Sequence, residues 1–325
     1  MGLIGQLNAS TTVNWLQKEP EDILNAASPL LWKLMGNAIE NENWEVKAHE
    51  IVDGGTMVKV PLKYANSNHG SYGANTVINQ SKVTIIDAAR FGWAGAYGSN
   101  TLNLNDLTQN TGEEAIISLT KQYVDSIVQS IRQDMAAQII AAAADTDSIN
   151  GLGDIFNTTT STAYGSITEA VVANWKANVI TTAEAISFEV MQKIFRQPGL
   201  GSAAKMKPDF VVTTETLRDG YERSLHPQQR YRDTKAVEAG WDNITHKGAP
   251  IVADPNVATG YLDALNTRVL SLRAHKDYNF TAPKWVSKEV LGQPDTISAN
   301  TRWRGNLYCS NRRLQVRHSN LTEPV

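Results

Sequence analysis

Thr56-Met-Val-Lys-Val-Pro-Leu-Lys-Tyr64 alternates in polarity, and Lys82-Val-Thr-Ile-Ile-Asp-Ala-Ala-Arg-Phe-Gly-Trp93 reads as its return strand. Between them Ala65-Asn-Ser-Asn-His-Gly-Ser-Tyr-Gly-Ala-Asn75 is made almost wholly of turn formers. Period-two alternation predicts strands, so the stretch predicts a long polar β-ribbon. An isolated two-stranded ribbon is marginally stable in water. A protein that carries one lays it on something else, and the nearest candidate is another copy of itself.

The ribbon runs into one long amphipathic segment. Thr111-Gly-Glu-Glu114 is a capping box, with Thr111 as N-cap and Glu114 at N3. Ile116, Leu119, Tyr123, Ile127, Ile131, Met135 and Ile139 follow at three-to-four spacing, and no Pro or Gly intervenes before Asn150-Gly151. A helix from Thr111 to Ala144 would be about 50 Å long at 1.5 Å per residue, whereas an ordinary globular helix has roughly three turns. It is either the core helix of an ordinary domain or a spine that sets the length of a flat, extended subunit.

Upstream, residues 1–43 read as an arm. Pro20-Glu-Asp22 opens one short helix, and Ser28-Pro29 opens another, with Ser28 as N-cap and Pro29 at N1. Trp15, Trp32 and Trp44 are its anchors. Downstream of the polar tract Asn157-Thr-Thr-Thr-Ser-Thr162, Ser166-Ile-Thr-Glu169 is a second capping box, predicting a helix with Val171, Val172, Trp175 and Val179. Ser187 caps a further helix through Met191, Ile194 and Phe195, stopped by Pro198-Gly199. Helix and short strand then alternate, which suggests a mixed α/β domain with helices flanking a small sheet. Thr267 to Ala274 reads as a strand, and Ala299 to His318 as a β-hairpin turning near Asn311-Arg312.

The chain has 325 residues, 42% hydrophobic and 19% charged, with a formal net charge of −3. That is globular rather than disordered, long enough for two or more cores, and without a general pull toward nucleic acid or anionic membrane. A single cysteine, Cys309, excludes an internal disulfide framework and a multi-thiolate metal site. No run approaches the ~20 apolar residues of a transmembrane helix, and Met1-Gly-Leu-Ile-Gly5 does not read as a secretion signal.

Catalytic patterns are missing. His49, His69, His226, His246, His275 and His318 show no i,i+4 metal-site pair and read as surface or interface residues. No Gly-x-Ser-x-Gly elbow occurs. Gly199-Leu-Gly-Ser-Ala-Ala-Lys205 lacks the Gly-Lys-Ser/Thr ending of a phosphate loop. Cys309 lies inside an expected strand as a small buried side chain rather than a nucleophile. No cofactor is called for.

Several stretches, in their order, resemble the major capsid protein of tailed bacteriophages, the Hong Kong-phage-type capsid fold. They are Met206-Lys-Pro-Asp-Phe-Val-Val-Thr-Thr214 before a helix, Gly248-Ala-Pro-Ile-Val-Ala-Asp-Pro255, Arg268-Val-Leu-Ser-Leu272, and Thr301-Arg-Trp-Arg-Gly-Asn-Leu-Tyr-Cys-Ser-Asn-Arg-Arg-Leu-Gln-Val316. The resemblance covers essentially the whole chain. It implies an α+β protein with an N-terminal arm (1–43), an extended β-ribbon loop (44–100), a peripheral domain holding the spine helix (101–154), an axial domain (155–255) and peripheral return strands (256–325). It further implies self-assembly through hexamers and pentamers into an icosahedral shell around double-stranded DNA, in the virion after assembly in the host cytoplasm. With no ~100-residue helical prefix, a separate scaffolding protein, or none, is expected, with separate scaffolding and portal proteins as the partners the resemblance implies. Some relatives cross-link Lys to Asn; Lys63, Lys82, Asn66 and Asn68 lie in the loop here without a sign that they react.

The residues expected at subunit contacts are Trp15 and Trp32 in the arm and Lys63, Tyr64, Asn66, His69 and Tyr72 in the loop. Arg302, Arg304, Arg312, Arg313 and Arg317 lie between Asp295 and Glu323 with no acid among them. They suit either carboxylates on a neighbouring subunit or non-specific phosphate contact with packaged DNA. Alternation sets Arg302 and Arg304 on the face away from Trp303. Two rival readings share the pattern: a cellular nanocompartment of the same fold enclosing an enzyme cargo, and a soluble α/β enzyme, against which the missing catalytic constellation counts.

Overall fold

The structure, a computed structural model, describes residues 28–35, 49–63, 65–75, 77–105, 113–199, 206–225, 244–289, 293 and 295–323. Two sheets organise these residues. The first has the order β1 (His49–Val52), β11 (Leu270–His275), β13 (Thr296–Cys309), β12 (Val286–Ser287), with β4 (Ala94–Asn103) also paired to β13. The β4–β13 pairing is antiparallel and runs from Asn103↔Thr296 to Ala94↔Gly305. Alternation along β13 buries Ile297, Ala299, Thr301 and Trp303 and exposes Asn300, Arg302 and Arg304.

The spine helix α2 (Glu113–Ile140) lies on the buried face of this sheet. Ile127, Ile131, Met135 and Ile139 are at most 3% exposed, as their spacing predicts. Burying four such side chains contributes on the order of 6–12 kcal/mol, an upper figure because the unfolded chain already hides part of them. Close approach depends on Gly98 in β4: a Cβ there would lie 2.9 Å from Ile127 Cγ2 and 3.0 Å from Ile131 Cγ1. The helix ends at Ile140, four residues before the expected Ala144. Beyond it, Ala143 N donates to Asp154 Oδ2 at 2.9 Å and Gly153 N to Ala141 O at 3.1 Å. The chain folds back on the helix end because Gly151 fits against the carbonyls of Gln138 and Ala141, where a Cβ would lie 2.3 and 2.0 Å away. The Thr111 capping box lies outside the described residues.

The second sheet has the order β5 (Asn178–Ile180), β14 (Val316–His318), β10 (Leu262–Leu265), β7 (Phe210–Thr213), β9 (Ala249–Ala253), β8 (Ile244–His246). Helices α4 (Phe188–Arg196) and α5 (Glu215–Ser224) cover it, burying Met191, Ile194, Phe195, Leu217 and Tyr221. Ser187 caps α4 as expected, its side chain accepting from Val190 N at 3.3 Å. A short helix α3 (Leu152–Ile155) links the spine to this region, and β6 (Glu184–Ala185) pairs with β15 (Leu321–Thr322).

Two expected elements are corrected, and the sheets cross two of the expected domain boundaries. The helix expected after Ser166 is absent: Gly165 and Ser166 have φ of 60° and 65° and form a two-residue turn across which Tyr164 and Ile167 exchange backbone hydrogen bonds at 3.0 and 3.2 Å. Left-handed φ at both positions belongs to a tight hairpin turn, whereas an N-cap needs extended backbone. The hairpin expected over 299–318 is not one, since β13 and β14 enter different sheets. The boundary at 255/256 does not divide the sheets, because β10 and β14 complete the second one; the boundary at 100/101 falls inside β4. Part of the arm is core: helix α1 (Pro29–Met35) buries Leu30, Leu31 and Leu34. Ser28 Oγ accepts from Leu31 N at 3.4 Å and donates to Asp254 Oδ2 at 2.5 Å, tying α1 to the end of β9.

Candidate assembly interface

The ribbon is β2 (Val58–Lys63) and β3 (Ile86–Phe91), antiparallel from Val58↔Phe91 to Lys63↔Ile86. Its strands are shorter than the sequence suggests, and its tip is correspondingly longer. One face is anchored on the body: Val58, Val60, Ala89 and Phe91 are buried. Phe91 meets Tyr164 edge-on at 5.1 Å, and a Cβ on Gly165 would lie 2.7 Å from the Phe91 ring. Arg90 N donates to Gly165 O at 2.9 Å. The turn at 165–166, where a helix was expected, therefore seats the base of the ribbon.

The other face and the tip meet solvent. Residues 66–75 and 77–82 are exposed throughout. The tip has some order of its own: Asn68 Nδ2 donates to Ser81 O at 2.7 Å and Ser81 N to Asn79 Oδ1 at 3.0 Å. Tyr72, Val77, Ile78 and Ile86 are 79, 94, 62 and 66% exposed. Large apolar side chains gathered on one projecting segment mark a contact surface more than scattered ones do. Lys63, Asn66, His69 and Tyr72, all expected here, are all exposed; His69 Nδ1 lies 3.0 Å from Ser67 O. Trp15 and Tyr64 lie outside the described residues, as does the side chain of Trp32 on α1.

The arginine group divides. Arg302 and Arg304 are exposed on the outer face of β13, and Arg304 lies over the Tyr278 ring at 5.5 Å. Arg313 is half-buried. Arg312 is 2% exposed and cannot face DNA or a neighbour. Its Nε, Nη1 and Nη2 donate to the carbonyls of Ile155, Trp175 and Asn157 at 2.9, 2.8 and 2.8 Å. It lies over the Tyr164 ring, 3.6 Å from Glu169 Oε1. Arg317 is also internal: Nε and Nη2 donate to the two oxygens of the buried Asp263 at 2.7 Å each, and the guanidinium packs on Phe156 and Tyr261. Burial raises the Asp263 pKa, and Arg317 opposes that rise.

Two histidines expected at the surface are buried. His318 is fully enclosed. His246 lies against Phe188, Phe195 and Tyr221, with Tyr221 Oη 2.7 Å from its Nδ1. Burial, reinforced by the Lys247 charge, lowers the His246 pKa to about 4. The period-two pattern carried the signal, since His246 shares a face with Ile244 and His318 with Val316. Cys309 is buried and its thiol pushed up to about 11 by that burial, an unreactive state. Among the described residues no group of three His, Cys, Asp or Glu could hold a metal ion, and no helix is long and apolar enough to cross a membrane.

No protein-family model matches the sequence, and no curated protein matches it. Solved structures do match. The capsid asymmetric unit of cyanophage A-1(L) superposes with a TM-score of 0.71 over 97% of this chain and 99% of that one, at 14% identity. The holo-SrpI encapsulin complex from Synechococcus elongatus PCC 7942 gives 0.62 over 98% and 96%, at 9% identity. The capsid of a native GTA particle gives 0.62 over 96% of each chain, at 10% identity. The chain has the Hong Kong-phage-type capsid fold, which is shared by phage capsids and encapsulins.

Proposed function

We propose that this chain is a major capsid protein that assembles through hexamers and pentamers into an icosahedral shell around the double-stranded DNA of a tailed phage. The observation that carries the reading is the end-to-end likeness to the cyanophage capsid subunit, 97% of one chain on 99% of the other. Ribbon and loop supply the mechanism, since an exposed apolar tip is covered once a neighbour lies beneath it. Each contact is modest, and the many contacts of a closed shell make dissociation of one subunit improbable. The role is structural rather than catalytic. Separate scaffolding and portal proteins serve assembly in the host cytoplasm, and the mature product is the virion. The exposed Arg302 and Arg304 and the half-buried Arg313 are the members of the arginine group left for DNA or for a neighbour; contact with DNA would be sequence-independent.

A second reading is favoured by one observation: the encapsulin subunit covers the chain equally fully. On that reading the shell is a nanocompartment enclosing a protein cargo. Electron microscopy of the expressed chain tests the shell, with closed particles or capsomer rings as the expected result. Particles isolated from the native source then separate the two readings: a phage shell protects double-stranded DNA from nuclease, and a nanocompartment retains a protein cargo. A chain that stays monomeric at every concentration rejects both.

A further inference from the structure

We propose that the buried imidazoles of His246 and His318 form an acid-operated catch under the helices of the second sheet. When both rings take up protons, α4 and α5 come away from that sheet while the spine stays packed on the first. The inference goes beyond shell formation, since it concerns an order of loosening within one chain.

The strand register sets both rings on one face. Residues directly opposite one another in a ladder share a face, as do residues two apart in a strand. His246 lies opposite Ala249, and Ile251, two residues on, lies opposite Val211. Two residues beyond Val211, Thr213 lies opposite Leu262, which in turn lies opposite His318. This is the face that α4 and α5 cover with Met191, Ile194, Phe195, Leu217 and Tyr221. The other face of the same strands puts Phe210, Val212, Val252 and Leu265 into the core that the spine shares.

Each ring stands in the α4–α5 core one partner short. His246 is 2% exposed and His318 0%, and the Nε2 of each is buried with no hydrogen-bond partner among the described residues. Facing His246 are the Phe188 and Phe195 rings of α4, Tyr221 Oη of α5 at 2.7 Å from Nδ1, and the Lys247 charge of the adjoining turn. Facing His318 are Glu184 of β6 and Lys193 of α4, which pair with each other, and Nδ1 lies 3.4 Å from Asn320 N. Glu184 is thus already committed to a cation, and no carboxylate acts on His246. An imidazolium in either place loses its water without gaining a counter-charge of its own, and two of them charge one apolar core together.

Burial lowers both pKa values, that of His246 to about 4. Folded values below the ordinary ~6.5 mean that an opened segment binds the extra protons. The packing of α4 and α5 is therefore complete above that ordinary value and weakens as pH falls through the window beneath it. Other shifted groups do not reproduce the pattern. Burial raises Asp154 and Asp263, so their protonation favours the folded chain. Bonds from Ser148 and Asp147 lower Asp145, and its effect belongs to the turn after the spine. Among the described residues the first core holds no fully buried histidine; His275 is half-buried and His69 exposed.

The test is amide hydrogen exchange of the full chain, read by mass spectrometry on peptides covering 188–196, 215–224 and 127–140. Each rate is referred to its intrinsic value at about pH 7.5 and about pH 4.5, which isolates local opening. The parent is compared with His246→Gln, His318→Gln and the double variant, since Gln is polar and takes no proton in this range. The parent should lose protection at least tenfold over 188–196 and 215–224 and less than twofold over 127–140; each single variant should lose less, and the double variant almost none. Exchange at the imidazole C2 positions of the parent, followed against pH, reports each ring without any substitution, so a variant that fails to fold leaves the inference open to refutation. Both rings should titrate below ~6.5, and loosening should track them. If 127–140 opens together with the other two segments, acid unfolding is global and the catch is overturned. A double variant that loosens like the parent, or parental rings that titrate at the ordinary value, overturns it as well.

Discussion

Replacing Arg312 with Met should cost the fold, not a surface property. The side chain is 2% exposed, and its hydrogen bonds close the carbonyls of Ile155, Asn157 and Trp175, all far from Arg312 in sequence. Hydrogen bonds from a charged donor contribute roughly 1.5–3 kcal/mol each. Loss of the cation also strands Glu169, whose Oε1 is buried with no hydrogen-bond partner and has the Arg312 charge 3.6 Å away. Breaking a buried pair by removing one partner costs about 3–5 kcal/mol. These terms overlap and do not add, so we take about 5 kcal/mol for Arg312→Met, a large part of the roughly 5–15 kcal/mol that holds a domain together. Arg312→Lys keeps the charge near Glu169 but lacks the planar fork that reaches three carbonyls, and should fall between. Arg302→Ala, on an exposed position, should stay within about 0.5 kcal/mol of the parent. Urea melts followed by circular dichroism check the order. An Arg312→Met chain that melts with the parental midpoint would refute the reasoning and return Arg312 to the surface group in which the sequence placed it.

Three further outcomes follow from the same geometry. Ile127→Asp puts an unpaired carboxylate at a 3%-exposed position under Gly98 and should remove the melting transition at a cost of several kcal/mol, whereas Ser126→Asp on the exposed side of the same helix should melt like the parent; equal tolerance of the two would sink the spine-and-sheet packing. Replacing residues 66–80 with a short Gly-Ser turn should leave a soluble chain with an unchanged melt and no stable particles, as counted by electron microscopy; normal particles would make the tip dispensable. His246 has a folded-state pKa of about 4, below its ordinary ~6.5, so the unfolded chain binds the extra proton between those values and stability falls as pH drops through that window, by about 3 kcal/mol at most. His246→Phe should flatten the slope of melting temperature against pH below 6.5, and an unchanged slope would exclude this imidazole as its source.

Helical and strand periodicity made much of the fold legible before any coordinates. Ile127, Ile131, Met135 and Ile139 are where their spacing puts them, and Trp303 is buried between exposed Arg302 and Arg304. Local rules failed where a long-range partner overrode them. Ser166-Ile-Thr-Glu169 has the letters of a capping box, yet the preceding glycine lets the backbone take a left-handed turn that receives the Phe91 ring, and Glu169 faces Arg312 instead of a helix N-terminus. The spine helix stops early for a similar reason: Gly151 and Asp154 return to its end. Neither signal lies within the window that a capping rule reads.

The arginine group shows why composition alone could not locate the contact surface. Five like-charged residues in a short acid-free run read as one patch because charge is counted along the chain. The fold sorts them by strand instead. Arg302 and Arg304 occupy outward positions of β13. The chain then leaves that sheet through the turn holding Arg312 and joins the other at β14, where Arg317 meets Asp263 across the β10–β14 pairing. That sheet change takes two of the cations inside. Lys59 and Arg90, separated by 31 positions and never a run in the sequence, become adjacent through a strand register. A cationic surface on this chain is therefore a property of pairing, and the ribbon, whose two strands expose their cations on one face, is where the fold places it.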